Sequence, residues 1–229
     1  MYPLDFKTKR QWKDPEGYRY LAPWSNLILL RILIRKLTNT LPTGEYRLKR
    51  QVNDASRSAV STLEEGWKRP TTKEYLDFLG FTQGSLEEIR GDIYRMLEDG
   101  FLKSYSGSNL KDSGIDLKEF KEFIGRRSQK QNRARFIGEI KGDIKGNPFK
   151  GSFKNSSKSP LRELIGTDYP PLHILQAERL TFEMFIELIN KTDYLLRRLI
   201  SSLQEKDPYF SQEKQDDQWV KSLMEKYKK

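Results

Sequence analysis

The sequence predicts an all-α protein, an antiparallel up-down four-helix bundle with a long irregular basic insertion between helices three and four and a short C-terminal helix. Three observations predict it. Four segments repeat apolar residues three and four positions apart, the spacing that lines one side of a helix. Capping and stop residues bracket those segments. One long stretch between the third and the fourth has many glycines and serines and loses the periodicity.

The first helix is expected from about Ser25, a candidate N-cap, to Leu41, with Pro42 ending the pattern. Leu27, Leu30, Ile34, Leu37 and Leu41 line one face, and Ile28, Leu29, Ile32 and Leu33 extend it to a second. A helix apolar on two sides is buried on two sides, and in a small bundle the second side is expected to be a subunit contact. The second helix is expected from Glu45 to Glu65 on Leu48, Val52, Ala55, Ala59 and Leu63, with Gly66 as its stop. Ala55, Ser56, Ser58 and Ala59 are small enough to admit a neighbouring helix closely.

The third helix carries the clearest signal. Thr71 and Glu74 have the spacing of a capping box. Tyr75, Leu79, Thr82, Leu86, Ile89, Ile93 and Met96 then form a heptad seam, which Gly100 terminates. Gly80, Gly84 and Gly91 sit inside this helix, each at a cost of about 1 kcal/mol relative to Ala. Close helix packing is the plain reading of them, and backbone approach by a ligand is the functional one. The fourth helix is expected from Ala177 to Gln204 on Phe182, Phe185, Ile189, Thr192, Leu196, Leu199 and Leu203. After Asp207-Pro208 a weaker terminal helix follows, with Trp219, Leu223 and Tyr227 four residues apart.

The chain therefore divides into an N-terminal extension (1–24), bundle helices one to three (25–103), a basic insertion (104–176), helix four (177–206) and a C-terminal suffix (207–229). The insertion opens on a flexible Ser-Tyr-Ser-Gly-Ser, and Asp116 to Phe123 is expected to form a short helix using Leu117, Phe120, Phe123 and Ile124. Beyond Gly125 the stretch is either a functional arm or disordered.

Composition excludes several kinds of chemistry. The 229-residue chain has no cysteine, which rules out disulfides and thiolate metal sites and fits a reducing, cytoplasmic compartment. Its one histidine, His173, lies beside Pro170 and Pro171 and reads as a surface residue. A His/Cys zinc site needs more ligands than this, and no G-x-S-x-G signal supports a hydrolase triad. No catalytic residue, metal or cofactor is expected. The start of the chain lacks the pattern of a signal peptide. The most apolar run, Leu27 to Ile34, is interrupted by Arg31 and too short to span a bilayer, so no membrane association is expected.

The charge is uneven. Residues 126–158 hold ten basic side chains against two acidic ones, which accounts for eight of the chain's ten excess positive charges. Arg126, Arg127, Lys130, Arg133, Arg135 and Lys141 alternate there with Gln129, Gln131, Asn132 and Phe136. Cations find phosphates, amides bond bases and rings stack on unpaired bases, so the segment reads as a nucleic-acid-binding arm. A soluble basic tether is the competing reading. Arg47, Arg50 and Arg57 share a face of helix two, either as a phosphate-contacting ridge or as a solvated surface paired with acids such as Asp54. Glu64, Glu65, Glu87 and Glu88 would have to converge with Glu-x-x-His pairs to make a di-metal site, and the chain has no such pair.

At helices two and three the chain resembles a known family. Ser58-Ala59-Val60, Glu65-Gly66 closing helix two, Lys73-Glu74-Tyr75-Leu76-Asp77-Phe78-Leu79 opening helix three, and Gly84-Ser85-Leu86-Glu87-Glu88 are similar in order and spacing to the four-helix-bundle proteins encoded in intervening sequences of bacterial 23S ribosomal RNA genes. The start, Gly17-Tyr18-Arg19-Tyr20-Leu21, and the C-terminal segment resemble a longer subgroup with a suffix. Where the family usually has Asn-Ile-Ala-Glu-Gly, this chain has Thr62-Leu63-Glu64-Glu65-Gly66. The resemblance implies an up-down bundle, a ring-like homo-oligomer, typically a pentamer, and no catalytic residue. It also implies a fold similar to the accessory variability determinant of diversity-generating retroelements, a basic pentamer that binds a reverse transcriptase and nucleic acid. Two functions are therefore carried forward. One is a non-enzymatic nucleic-acid-binding accessory protein, with RNA favoured, beside an RNA-handling enzyme. The other is a protein–protein interaction scaffold.

Overall fold

A computed structural model of the chain describes residues 14–125 and 169–206. All regular structure among those residues is helical, with no strand and a single isolated bridge between Lys103 and Thr181. The helices are α1 (Ala22–Thr38), α2 (Tyr46–Trp67), α3 (Thr72–Glu98), α4 (117–125), α5 (Pro170–Ile174) and α6 (Phe182–Lys206). Single 3-10 turns occupy Gly17–Tyr20, Thr43–Glu45, Leu110–Ser113 and Ala177–Arg179.

The helix boundaries differ from the sequence expectation for identifiable reasons. α1 starts at Ala22 rather than Ser25, because Pro23 presets the helical φ in the first turn and its missing N–H is needed by no carbonyl there. Ser25 lies inside that turn, its hydroxyl donating to the Ala22 carbonyl at 2.9 Å. α2 runs through Gly66 to Trp67, so Gly66 is not a stop. A Cβ on Gly66 would lie 2.6 Å from Cβ of Phe78 and 3.0 Å from Cδ2 of Tyr75, so glycine is required there because α3 passes against it. Thr71 caps α3 as expected: its hydroxyl oxygen accepts from the Glu74 N–H at 3.2 Å and donates to the Glu74 carboxylate at 2.8 Å. α6 starts at Phe182 rather than Ala177. Ala177–Arg179 closes into a 3-10 turn, Leu180 is extended, and the Thr181 hydroxyl accepts from the Met184 N–H at 3.4 Å.

Each of the four long helices packs on two others: α1 on α2, α2 on α3, α3 on α6, and α6 on α1. Named contacts fix the directions. Trp24 meets Glu64 and Thr38 meets Asn53, so α1 and α2 run opposite ways. Thr62 with Thr82 and Gln51 with Asp92 do the same for α2 and α3, and Gln83 with Asp193 and Tyr94 with Phe182 for α3 and α6. Leu63, Leu79, Leu86, Ile93, Ile189 and Leu196 are fully buried between them, as the seams predict.

Three expectations are corrected. The second apolar side of α1 is covered within the chain: Ile28, Leu29, Ile32 and Leu33 are all buried, so this side offers no subunit contact. The ends of the insertion belong to the same core, to which Leu110, Ile115, Phe120, Ile124, Tyr169, Leu172 and Leu175 contribute. The start of the insertion is not a free tether. Glu183 accepts hydrogen bonds from the Ser104 hydroxyl, from the Tyr105 N–H at 3.0 Å and from the Ser108 hydroxyl at 3.3 Å. Finally, Gly80 and Gly84 are not close-packing sites, because a Cβ on either would meet nothing within 4 Å, and one on Gly91 would meet only the end of Arg95.

The short helix foreseen near Asp116 is present as α4, with Phe120 and Ile124 buried. The expected C-terminal helix over Trp219, Leu223 and Tyr227 lies outside the described residues. Among the described residues no helix is long and apolar enough to cross a membrane.

The glycine geometry makes a paired prediction. Gly66→Ala overpacks the α2–α3 contact and should cost about 1–3 kcal/mol in urea denaturation. Gly84→Ala places its methyl in open space on an exposed helix interior and should raise stability by roughly 0.5–1 kcal/mol. Equal effects at the two positions would contradict the packing described.

Candidate nucleic-acid interface

The helix-two ridge forms, but its members are not equivalent. Arg47, Arg50 and Arg57 are all exposed. Arg50 pairs with Asp54 at 3.5 Å, and the Arg47 guanidinium donates to the Tyr46 hydroxyl at 3.1 Å. Arg57 alone of the three has no carboxylate or ring partner among the described residues. Its neighbours lie across the boundary with α1. The Trp24–Glu64 and Thr38–Asn53 contacts set the α1–α2 register, which brings Arg31 level with Arg57. Arg35 follows Arg31 one turn later on the same face.

Most described arginines are otherwise partnered. Arg19 meets Glu16, Arg69 meets Glu65 and the Phe78 ring, Arg90 meets Glu87, Arg95 meets Asp92, Arg197 meets Asp193, and Arg198 lies over the Tyr194 ring. Arg31, Arg35, Arg57 and the distant Arg179 are the described arginines without a salt bridge, side-chain hydrogen bond or ring contact to another described residue. Burial, and after it the Arg35 and Arg57 charges, hold the Arg31 pKa below the ordinary arginine value against the pull of Glu64. Arg31 and Arg35 were not singled out in the sequence. Their signal was a pair of arginines four apart interrupting an otherwise apolar helix.

The basic segment is the other candidate for the interface. Arg126, Arg127, Lys130, Arg133, Arg135 and Lys141 all lie outside the described residues. Its roots are described. The Phe123 and Tyr169 ring centroids are 5.5 Å apart, and Tyr169 also meets Phe120 edge-on at 5.3 Å. The described residues on either side of the segment therefore lie together in the core.

The four glutamates considered for a metal site do not converge. Glu64 accepts from the Trp24 indole N–H at 2.9 Å, Glu65 faces Arg69 at 4.0 Å, and Glu87 pairs with Arg90 at 3.0 Å. No three His, Cys, Asp or Glu side chains gather to hold a metal ion among the described residues. His173 is exposed on α5. A carboxylate the sequence reading passed over is Asp92, wholly buried on α3. Its Oδ1 accepts from Gln51 at 3.0 Å and Arg95 at 2.5 Å, and its Oδ2 has no partner among the described residues. Burial pushes its pKa up, against the pull of Arg95.

The order of helices, the Gly66 contact and the cap at Thr71 all fall in one stretch of chain. Residues 19–120 match the family of 23S rRNA-intervening sequence proteins. The resemblance read from helices two and three is borne out over that stretch, which spans α1, α2 and α3 and ends inside α4. No curated protein and no solved structure matches the chain. Within the matched stretch, Glu64 stands where the resemblance expects alanine, and its bond to Trp24 ties α1 to α2.

That glutamate gives a pH prediction. Burial raises the Glu64 pKa above the ordinary carboxylate value, although the Trp24 hydrogen bond and the charges of Lys68, Arg19 and Arg31 oppose it. A carboxyl group raised in this way stabilises the fold fully below its unfolded pKa, and that contribution is lost as pH rises through the folded pKa. Glu64→Gln keeps the acceptor for Trp24 and removes the charge. The variant should melt above the wild type at pH 7, and the difference should close as pH falls to about 4 and below. A variant that melts lower at pH 7 would mean that the three cations outweigh burial.

Proposed function

We propose that the chain is a non-enzymatic, homo-oligomeric accessory protein that binds nucleic acid, RNA in preference, beside an RNA-handling enzyme such as a reverse transcriptase. The carrying observation is the concentration of eight of the ten excess positive charges in residues 126–158. The scaffold under them is read as the antiparallel up-down four-helix bundle, because each long helix packs on two others and the named pairs run oppositely. Assembly into a ring, a pentamer in the family it resembles, rests on that resemblance, since α1 has no apolar side left to share. The cysteine-free composition supports a cytoplasmic setting. The alternative, an interaction scaffold without nucleic acid, is favoured by Phe81, 59% exposed on α3.

Binding through the basic segment would be largely electrostatic, because each phosphate engaged releases counterions. Engagement of ~4–6 phosphates of a single strand gives a log–log salt slope of roughly −3 to −4. Replacing Arg126, Arg127, Arg133 and Arg135 with Ala should weaken binding and flatten the slope, with helicity unchanged by circular dichroism. An unchanged slope assigns the segment the role of tether. A wild-type protein that fails to bind RNA at low salt leaves the scaffold reading.

A further inference from the structure

We propose that the groove between α1 and α2 is a phosphate-binding site, in which Arg31, Arg35 and Arg57 grip the backbone of a bound nucleic-acid strand. The inference rests on the nucleic-acid reading above and names a contact surface apart from the basic segment.

The first ground is the distribution of unpaired charge. Elsewhere in the described fold, arginines are matched to carboxylates or rings, Arg179 excepted. Three of the four unmatched ones meet across one helix boundary. Gathering like charges is unfavourable, and Arg31 bears burial as well. The arrangement becomes favourable once an anion lies among the three guanidiniums.

The second ground is geometry. Arg31 and Arg35 are one turn apart, ~6 Å along the α1 axis. Arg57 faces them from α2. A strand lying along the groove meets the α1 pair in succession, with Arg57 closing over it from the other wall. Guanidinium forks match phosphate oxygens two at a time and stay charged at every physiological pH.

The groove also indicates what it does not read. Trp24, the ring on the same α1 face, is 1% exposed and its N–H is held by Glu64, so it offers no platform for a base. Glu64, within electrostatic reach of Arg31, puts an acid at this end of the groove, where a further phosphate would be repelled. The contact is therefore with the backbone and independent of base sequence.

The test uses the full-length protein and a fluorescein-labelled uridine octamer, followed by anisotropy across a salt series. The variants are the triple Arg31→Gln/Arg35→Gln/Arg57→Gln and, as control, Arg179→Gln. The triple variant should bind at least ~10-fold more weakly at the lowest salt, with a slope flatter by about 2, since each single-strand phosphate contributes roughly 0.7. Arg179→Gln should stay within about twofold of wild type, one surface charge being lost outside the groove. If the triple variant matches wild type in affinity and slope, the groove inference is overturned and the nucleic-acid reading stands on the basic segment. If wild type does not bind, both fall. Arg57→Gln alone guards against misfolding: without RNA it should melt at or above wild type, because it removes repulsion, and still bind more weakly. A lower melting temperature would make Arg57 a structural residue and overturn the assignment.

Discussion

The close approach of α2 to α3 is the constraint on which the rest of the structure depends. Two helices come near enough for Gly66 to lie against Phe78 and Tyr75 only if the facing residues are small, and Ala55, Ser56 and Ala59 are small and buried. At that distance short hydroxyl side chains bridge the helices, Thr62 to Thr82 at 3.0 Å and Ser85 to Ser58 at 3.1 Å. These bonds have little slack, so they fix register as well as distance. With α2 so placed, Trp24 and Thr38 set α1 on its other flank, and Gln83 and Arg90 reach from α3 to Asp193 and Asn190 of α6. The position of Arg31 across from Arg57 follows from this chain of registers.

The core was legible in the sequence because burial imposes a period. Leu79, Leu86, Ile93, Ile189 and Leu196 sit where the heptads put them. Periodicity reports that a face is covered and is silent on what covers it. For that reason α1, apolar on two sides, pointed to a second subunit, whereas the core it joins draws Phe120, Tyr169 and Leu175 from the insertion. Glycine is ambiguous for a related reason. Gly66 looked like a stop and is a contact; Gly80 and Gly84 looked like contacts and face open space. Only the neighbour's position separates these cases, and that is a property of the packed helices.

The site was less legible than the fold. Arg57 was found because it shares a face with Arg47 and Arg50, yet those two are occupied by Tyr46 and Asp54. Its companions are Arg31 and Arg35, 26 and 22 positions earlier in the chain. Charge patterning along one helix cannot show a cluster that two helices build together. The buried Asp92 was hidden in the same way, since it adjoins the α3 seam without belonging to it.

The most direct test of this dependence is native-state hydrogen exchange resolved by residue. If the α2–α3 contact organises the fold, amides at 55–63 and 79–93 exchange most slowly and only through global unfolding, with α5 and the ends of α6 opening at lower free energy. Exchange at 55–63 as fast as at 170–174, with α1 and α6 retaining the slowest amides, would contradict the account.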